Sequence, residues 1–241
     1  MTAAALLLIA FAASAVHTAT SFGMGIICVM FFPFFIHTYS TVTVCITVLT
    51  LLLTGCNAVR LRSYIVWKWI APTFVTYYGM AVLVAPLLNR ADTPVFKRAL
   101  GLVLFCLSIY FVFFQRHLHI RHNLPNGLLA GGLSGALETL FCTGGPPMVL
   151  YMVTASDDVL RYTASVQAWF AVNMAGLLAV RYLNGFVTAE AVKYSLLMAP
   201  AVLCGMVCGY AMLRHMNIQR LKNMVYAIMM VYGAILTIHP G

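Results

Sequence analysis

The chain has 241 residues, 63% of them hydrophobic and 8% charged, with a mean hydropathy of +0.95; a soluble core requires nothing of the kind, so the composition is that of a polytopic membrane protein. Fourteen Lys and Arg against five acids give a net charge of +9. No soluble basic domain carries that charge, which excludes a nucleic-acid partner and leaves membrane topology and anionic lipid as its reading, with steering of an anionic substrate as the alternative.

Apolar runs fall at 3–20, 26–36, 41–58, 69–88 and 97–114, before a polar link carrying Arg116, His117, His119, Arg121 and His122. Five more come after it at 126–142, 146–155, 163–180, 190–213 and 221–238. The opening run resembles a signal peptide around Ala13-Ser14-Ala15, but no Lys or Arg precedes Arg60 and the run has a counterpart in the second half, so it is read as a membrane helix. The second and seventh runs are shorter than the roughly 20 residues of a straight crossing and are expected to be half helices. The seven cysteines lie in or at the edges of apolar runs without metal-ligand spacing, and the linker histidines read as a solvated link; no metal or cofactor is expected.

The two halves read as repeats, residues 1–115 and 126–241, joined by a basic linker at 116–125. A shift of 121 sets Gly23-Met24-Gly25 on Gly144-Gly145-Pro146, His17 on Glu138, and Ala58-Val59-Arg60 on Ala179-Val180-Arg181; Ala71-Pro72 falls on Ala199-Pro200 at a shift of 128. If each opening pair of runs forms a hairpin or two crossings, loops 59–68, 115–123, 156–161 and 214–222 share one side with nine Lys and Arg against five opposite. If each pair is one continuous crossing, the count is seven against seven. The positive-inside rule favours the first arrangement, with both termini outside and the halves inverted. The expected fold is therefore an all-α polytopic membrane protein of two inverted repeats, each with a broken, short helix pair and three transmembrane helices.

The stretch Thr143 to Tyr151, TGGPPMVLY, places two helix breakers and two helix starters inside a membrane run. Gly144 and Gly145 free the backbone, and Pro146 and Pro147 suit a first helical turn, where a missing N–H is harmless. Irregular backbone in hydrocarbon is tolerated only inside protein or beside a cavity, and a helix start there offers open N–H groups and a positive dipole end to an anion. Ser21, Gly23, Met24 and Gly25 form the matching first-half break, although its glycines also suit close helix packing. Paired breaks of this kind mark secondary transporters.

Glu138 is the acid that lies inside an apolar run, and either it carries a proton, with His17 doing so from the other half, or it bonds a neighbouring helix for structure alone. Arg161, before a spanning run, either closes over a bound anion or is a solvated edge charge. Asn57 and Asn173 read as interhelical hydrogen-bonding amides. No nucleophile with a base and no phosphate-cradling loop appears, so the chain is not expected to be an enzyme.

With these motifs the chain resembles the TauE/SafE family of membrane permeases, often called sulfite exporters. GGPPMVLYMV at 144–153 is similar to the family's second-half glycine-proline motif, supported by the Gly23-Met24-Gly25 break, by Arg161, Thr163 and Ser165 leading toward Asn173, and by Asn184-Gly185 before the run holding Pro200 and Gly205. The first-half motif departs from the family's denser glycines. The resemblance implies transport of a small sulfur-containing anion such as sulfite or a sulfonate across a bacterial cytoplasmic membrane. A permease for another small organic anion, such as a carboxylate, and a non-transporting assembly protein stay open. The expected partners are the small anion and membrane lipid, and a homodimer is compatible with such a chain.

Overall fold

The computed structural model describes residues 2–91, 93–114, 121–153, 155, 158–215 and 218–238, and every regular element among them is helical. Arg116, His117 and His119 of the link lie outside the described residues. The α-helices are α1 (Thr2–Thr20), α2 (Met24–Phe31), α3 (Tyr39–Arg60), α4 (Trp67–Val84), α5 (Pro94–Ile109), α6 (Leu124–Phe141), α7 (Gly145–Val153), α8 (Val159–Leu183), α9 (Ala189–His215) and α10 (Ile218–Ile238). Six helical stretches are long and apolar enough to cross a membrane, and side chains such as Val75, Leu83, Leu129, Leu196 and Val207 stand out from the bundle as lipid-facing groups. α2 and α7, of eight and nine residues, are too short to cross.

Local chemistry sets several helix starts at the ends of the bundle. Thr93 caps α5 through the Phe96 N–H, Asn123 caps α6 through the Asn126 N–H, and Asp158 accepts from the Leu160 and Arg161 N–H groups at the start of α8. Pro94 and Pro125 occupy the first turns of α5 and α6, where their missing N–H groups are no loss. His122 departs from the solvated link expected of it: its ring stacks on Tyr151 with centroids 4.4 Å apart and meets Trp69 edge-on, and this partial burial pushes its pKa below the ordinary imidazole value.

The helices pack in a pattern that survives exchange of each helix for the one five places along. α1 lies along α9 as α6 lies along α4; α3 meets α9 as α8 meets α4; α3 and α8 face each other, as do α5 and α10. Pro72 and Pro200, aligned by the sequence shift, both sit inside their helices, α4 and α9. α9 runs parallel to α3, since Cys45 bonds to Ala191 and Tyr210 to Asn57, and parallel to α1, since Gly205 abuts Phe11 while Gly209 abuts Ala15. α5 and α10 run antiparallel, Gly101 meeting Thr237 and Phe105 meeting Gly233. Because α1 and α3 share a direction, the intervening α2 turns the chain back, and the first break is the tip of a hairpin.

These contacts are backbone to backbone. A Cβ on Gly131 or Gly135 would overlap the Thr73 or Tyr77 carbonyl of α4, and one on Gly205 or Gly209 would crowd the Phe11 or Ala15 carbonyl of α1. Helices in lipid gain little from hiding apolar surface from one another, so close approach through small residues four apart holds the bundle. Gly205→Leu is accordingly expected to lower thermal stability by about 1–3 kcal/mol through overpacking. Gly55 of α3 has open space around it, and Gly55→Ala is expected to leave the melting temperature of the detergent-purified protein unchanged or raised.

Candidate functional site

The chain leaves the helical path at two register-equivalent places. Ser21 (φ 67°) and Cys142 (φ 54°), 121 residues apart, are the non-glycine residues with positive φ among those described, and Gly23 comes shortly after Ser21 at φ 109°. Side chains resist this left-handed region by roughly 1–2 kcal/mol per residue, so both turns are held by what surrounds them. Thr20 Oγ1 lies 2.9 Å from the Val16 carbonyl and 2.6 Å from that of Phe22, spanning the first turn. Phe22 stacks on Phe111, which stacks on Tyr226 of α10.

Neither helix that starts at a break uses the Ser, Thr, Asn or Asp cap found at the bundle ends. At the second break the Gly144 N–H donates to Glu138 Oε2 at 2.7 Å; at the first, the Met24 N–H donates to His17 Nδ1 at 3.4 Å. A side chain from the helix before each break thus satisfies a backbone donor at the start of the helix after it. His17 Nε2 also lies 3.4 Å from Gln167 Oε1 on α8, and its ring meets Phe170 edge-on. Both capping side chains are buried, at 1% exposure for His17 and 4% for Glu138.

The two breaks touch. A Cβ on Gly25 would overlap the carbonyl oxygen of Cys142, so only glycine lets α2 approach the second turn. Gly144 has equally little room, against the Ser134 carbonyl and the Glu138 side chain. Between the breaks lies a cavity of about 10 Å³, lined by His17, Phe22, Gly23, Gly25 and Ile26 of the first half and Glu138, Cys142, Thr143, Gly145 and Pro146 of the second, with Thr50 and Phe170 across from them. This is room for about one water molecule. An oxyanion of several heavy atoms does not fit in this volume.

The structure thus brings together His17, Gly23, Gly25, Glu138, Thr143, Gly145 and Pro146. Ser21, Met24 and Gly144 shape the breaks without lining the cavity, and Pro147 faces an apolar groove formed by α5, α6 and α7. Arg161 is not brought to the cavity. It is exposed at the first turn of α8, 3.3 Å from Asp158, because the helix start that Asp158 caps lies at the end of the bundle. Asn57 accepts from the Tyr210 hydroxyl at 2.8 Å and ties α3 to α9; Asn173 is wholly buried on α8, with neither side-chain polar atom bonded to protein among the described residues. Sequence reasoning gave no role to Gln167, which shares an apolar run with Asn173, and named Arg181 only in the repeat alignment. Arg181 is fully buried, and its Nη2 donates to the Thr139 carbonyl at 3.0 Å beside Cys142. Its alignment with exposed Arg60 concealed it.

Removing the acceptor at the second break isolates the role of Glu138. Glu138→Ala is expected to lower unfolding stability by about 1–3 kcal/mol, because the Gly144 N–H is left buried and unpaired. Glu138→Gln retains an acceptor oxygen and is expected to lose less, as measured by thermal unfolding in detergent.

A family model described as sulfite exporter TauE/SafE matches residues 6–236. Comparison with curated proteins and with solved structures gave no match. With an apolar helical bundle, two broken helices and a family match over nearly its whole length, the chain is an integral multi-pass membrane protein and belongs to the TauE/SafE sulfite exporter family, a family of membrane transporters.

Proposed function

We propose that the protein carries a small sulfur-containing anion, sulfite or an organosulfonate, across a bacterial cytoplasmic membrane by alternating access, with the two breaks forming the anion site. The observation that carries this reading is the direct contact of the breaks around one small cavity, since paired discontinuous helices at a repeat interface are where secondary transporters bind. The antiparallel α5 and α10 and the exchange pattern of helix contacts support inverted repeats whose helices interleave. In the closed arrangement Glu138 and His17 occupy the N–H groups that an anion would otherwise meet, so opening and binding involve displacement or protonation of these side chains.

An inside-negative potential of ~100 mV favours exit of a monovalent anion by about 2.3 kcal/mol, so export proceeds without a coupled ion. Import requires one, and Glu138 and His17 are the groups placed to carry a proton. Gly145 faces Phe170 so closely that even a methyl group there requires the ring to give way (3.2 Å from a Cβ to Phe170 Cζ). Gly145→Leu is therefore expected to abolish sulfite flux in proteoliposomes while leaving a folded protein in size-exclusion chromatography, and normal flux would sink the broken-helix site. Should the flux be inward, it is expected to rise with an inward proton gradient in the wild type and to be indifferent to that gradient in Glu138→Gln.

A further inference from the structure

Arg181 presents a problem that the cavity alone does not solve. A guanidinium keeps its charge in proteins, and a buried charge is costly unless it is paired. Arg181 is 0% exposed, yet among the described residues it makes no ion pair: the pair found there joins Arg161 to Asp158 at the bundle surface. Glu138, the buried acid on α6, directs Oε2 to the Gly144 N–H and acts on Arg181 only through space, beyond ion-pair distance. Of the Arg181 nitrogens, Nη2 reaches the Thr139 carbonyl, while Nε and Nη1 have no protein partner.

The fold does not by itself demand this burial. Arg60, the register equivalent 121 residues earlier at the end of α3, is exposed and lies 4.3 Å over the Tyr210 ring. The same helix position thus carries its charge at the surface in one half and in the interior in the other. The surroundings of Arg181 are also one-sided. Its Nη2 lies 4.0 Å from Cys142 Sγ at the second break, and the buried hydroxyls of Thr139 and Thr143 on either side of that break also lack protein partners. Asn173, two turns earlier on the same face of α8, is a further unbonded donor.

We infer that Arg181, set behind the second break, is the positive ligand of the transported oxyanion, its free Nη1–H and the second N–H of Nη2, parallel at the end of the guanidinium, donating to two anion oxygens while the Thr139 and Thr143 hydroxyls complete the shell. A planar guanidinium presents parallel donors suited to the oxygens of a sulfite or sulfonate group. The inference rests on the anion-transport reading and replaces Arg161 with Arg181 as the charged partner. In the closed arrangement Cys142 stands between the cavity and the guanidinium, so the anion reaches Arg181 as the second turn opens.

The experiment is thermal unfolding of the full-length, detergent-purified protein titrated with sulfite, ethanesulfonate or chloride at matched ionic strength, for the wild type, Arg181→Gln, Arg181→Lys and Arg60→Gln. The wild type and Arg60→Gln are expected to gain stability with sulfite or ethanesulfonate over chloride. Arg181→Gln is expected to bind at least ~30-fold more weakly, as truncation of a buried charged partner does, and without anion to melt at or above the wild-type temperature because an uncompensated charge has gone. Arg181→Gln that melts lower without anion yet keeps the full anion increment overturns the inference and makes Arg181 structural. If Arg181→Gln does not fold, Arg181→Lys carries the test: about tenfold weaker binding from loss of the forked donors supports the inference, and unchanged affinity overturns it. Absence of any anion increment in the wild type overturns the anion site itself, an outcome distinct from failure of Arg181 alone.

Discussion

Hydrocarbon offers no hydrogen-bond partner to an opened helix, and the structure depends on how two opened helices satisfy each other's surroundings. Each break frees backbone groups that water would otherwise bond, and each is closed by protein. His17 and Glu138 reach forward from α1 and α6 to the first N–H groups beyond the turn, and Gly25 lets the first break lie directly on the Cys142 carbonyl of the second.

The rest of the bundle keeps that contact in place. α9 holds α1, and α4 holds α6, through glycines whose carbonyl neighbours leave no room for a side chain. α3 and α8 flank the cavity with Thr50 and Phe170, while α5 and α10 cross antiparallel at Gly101 and Gly233 away from it. A ring stack from Phe22 through Phe111 to Tyr226 joins the first break to this peripheral pair. Glycine contacts between backbones define close registers from one half to the other, and a shift of one turn sets side chains against carbonyls.

Charge is distributed to match. Most of the basic residues whose burial is described are exposed, among them Arg60 on Tyr210 and Arg161 on Asp158, where solvent screens them. Arg181 departs from that pattern: it sits inside, next to the break bearing Glu138 and Thr143, with hydroxyls about it and no acid paired to it among the described residues. The halves share a backbone plan but differ in their polar furnishing, His17 against Glu138 and exposed Arg60 against buried Arg181.

Composition and backbone chemistry alone were enough for much of the plan. Apolar run length pointed to an all-helical membrane chain, the glycine and proline pairs to where the helices break, and the shift of 121 to the pairing of His17 with Glu138, while the equivalence of the Ser21 and Cys142 turns emerged from the backbone. Glycines that pack helices and glycines that break them look alike in one dimension, so the roles of Gly25 and Gly209 were legible only in space. Which charges face inward was settled by tertiary packing. Arg161 and Arg181 both stand near the ends of one apolar run; Arg161 stays outside with the local Asp158, which caps and pairs with it at the helix start, whereas Arg181 lies inside because α8 packs against the second break. Burial is set by neighbours far along the chain, and a single sequence states those neighbours only through the folded bundle.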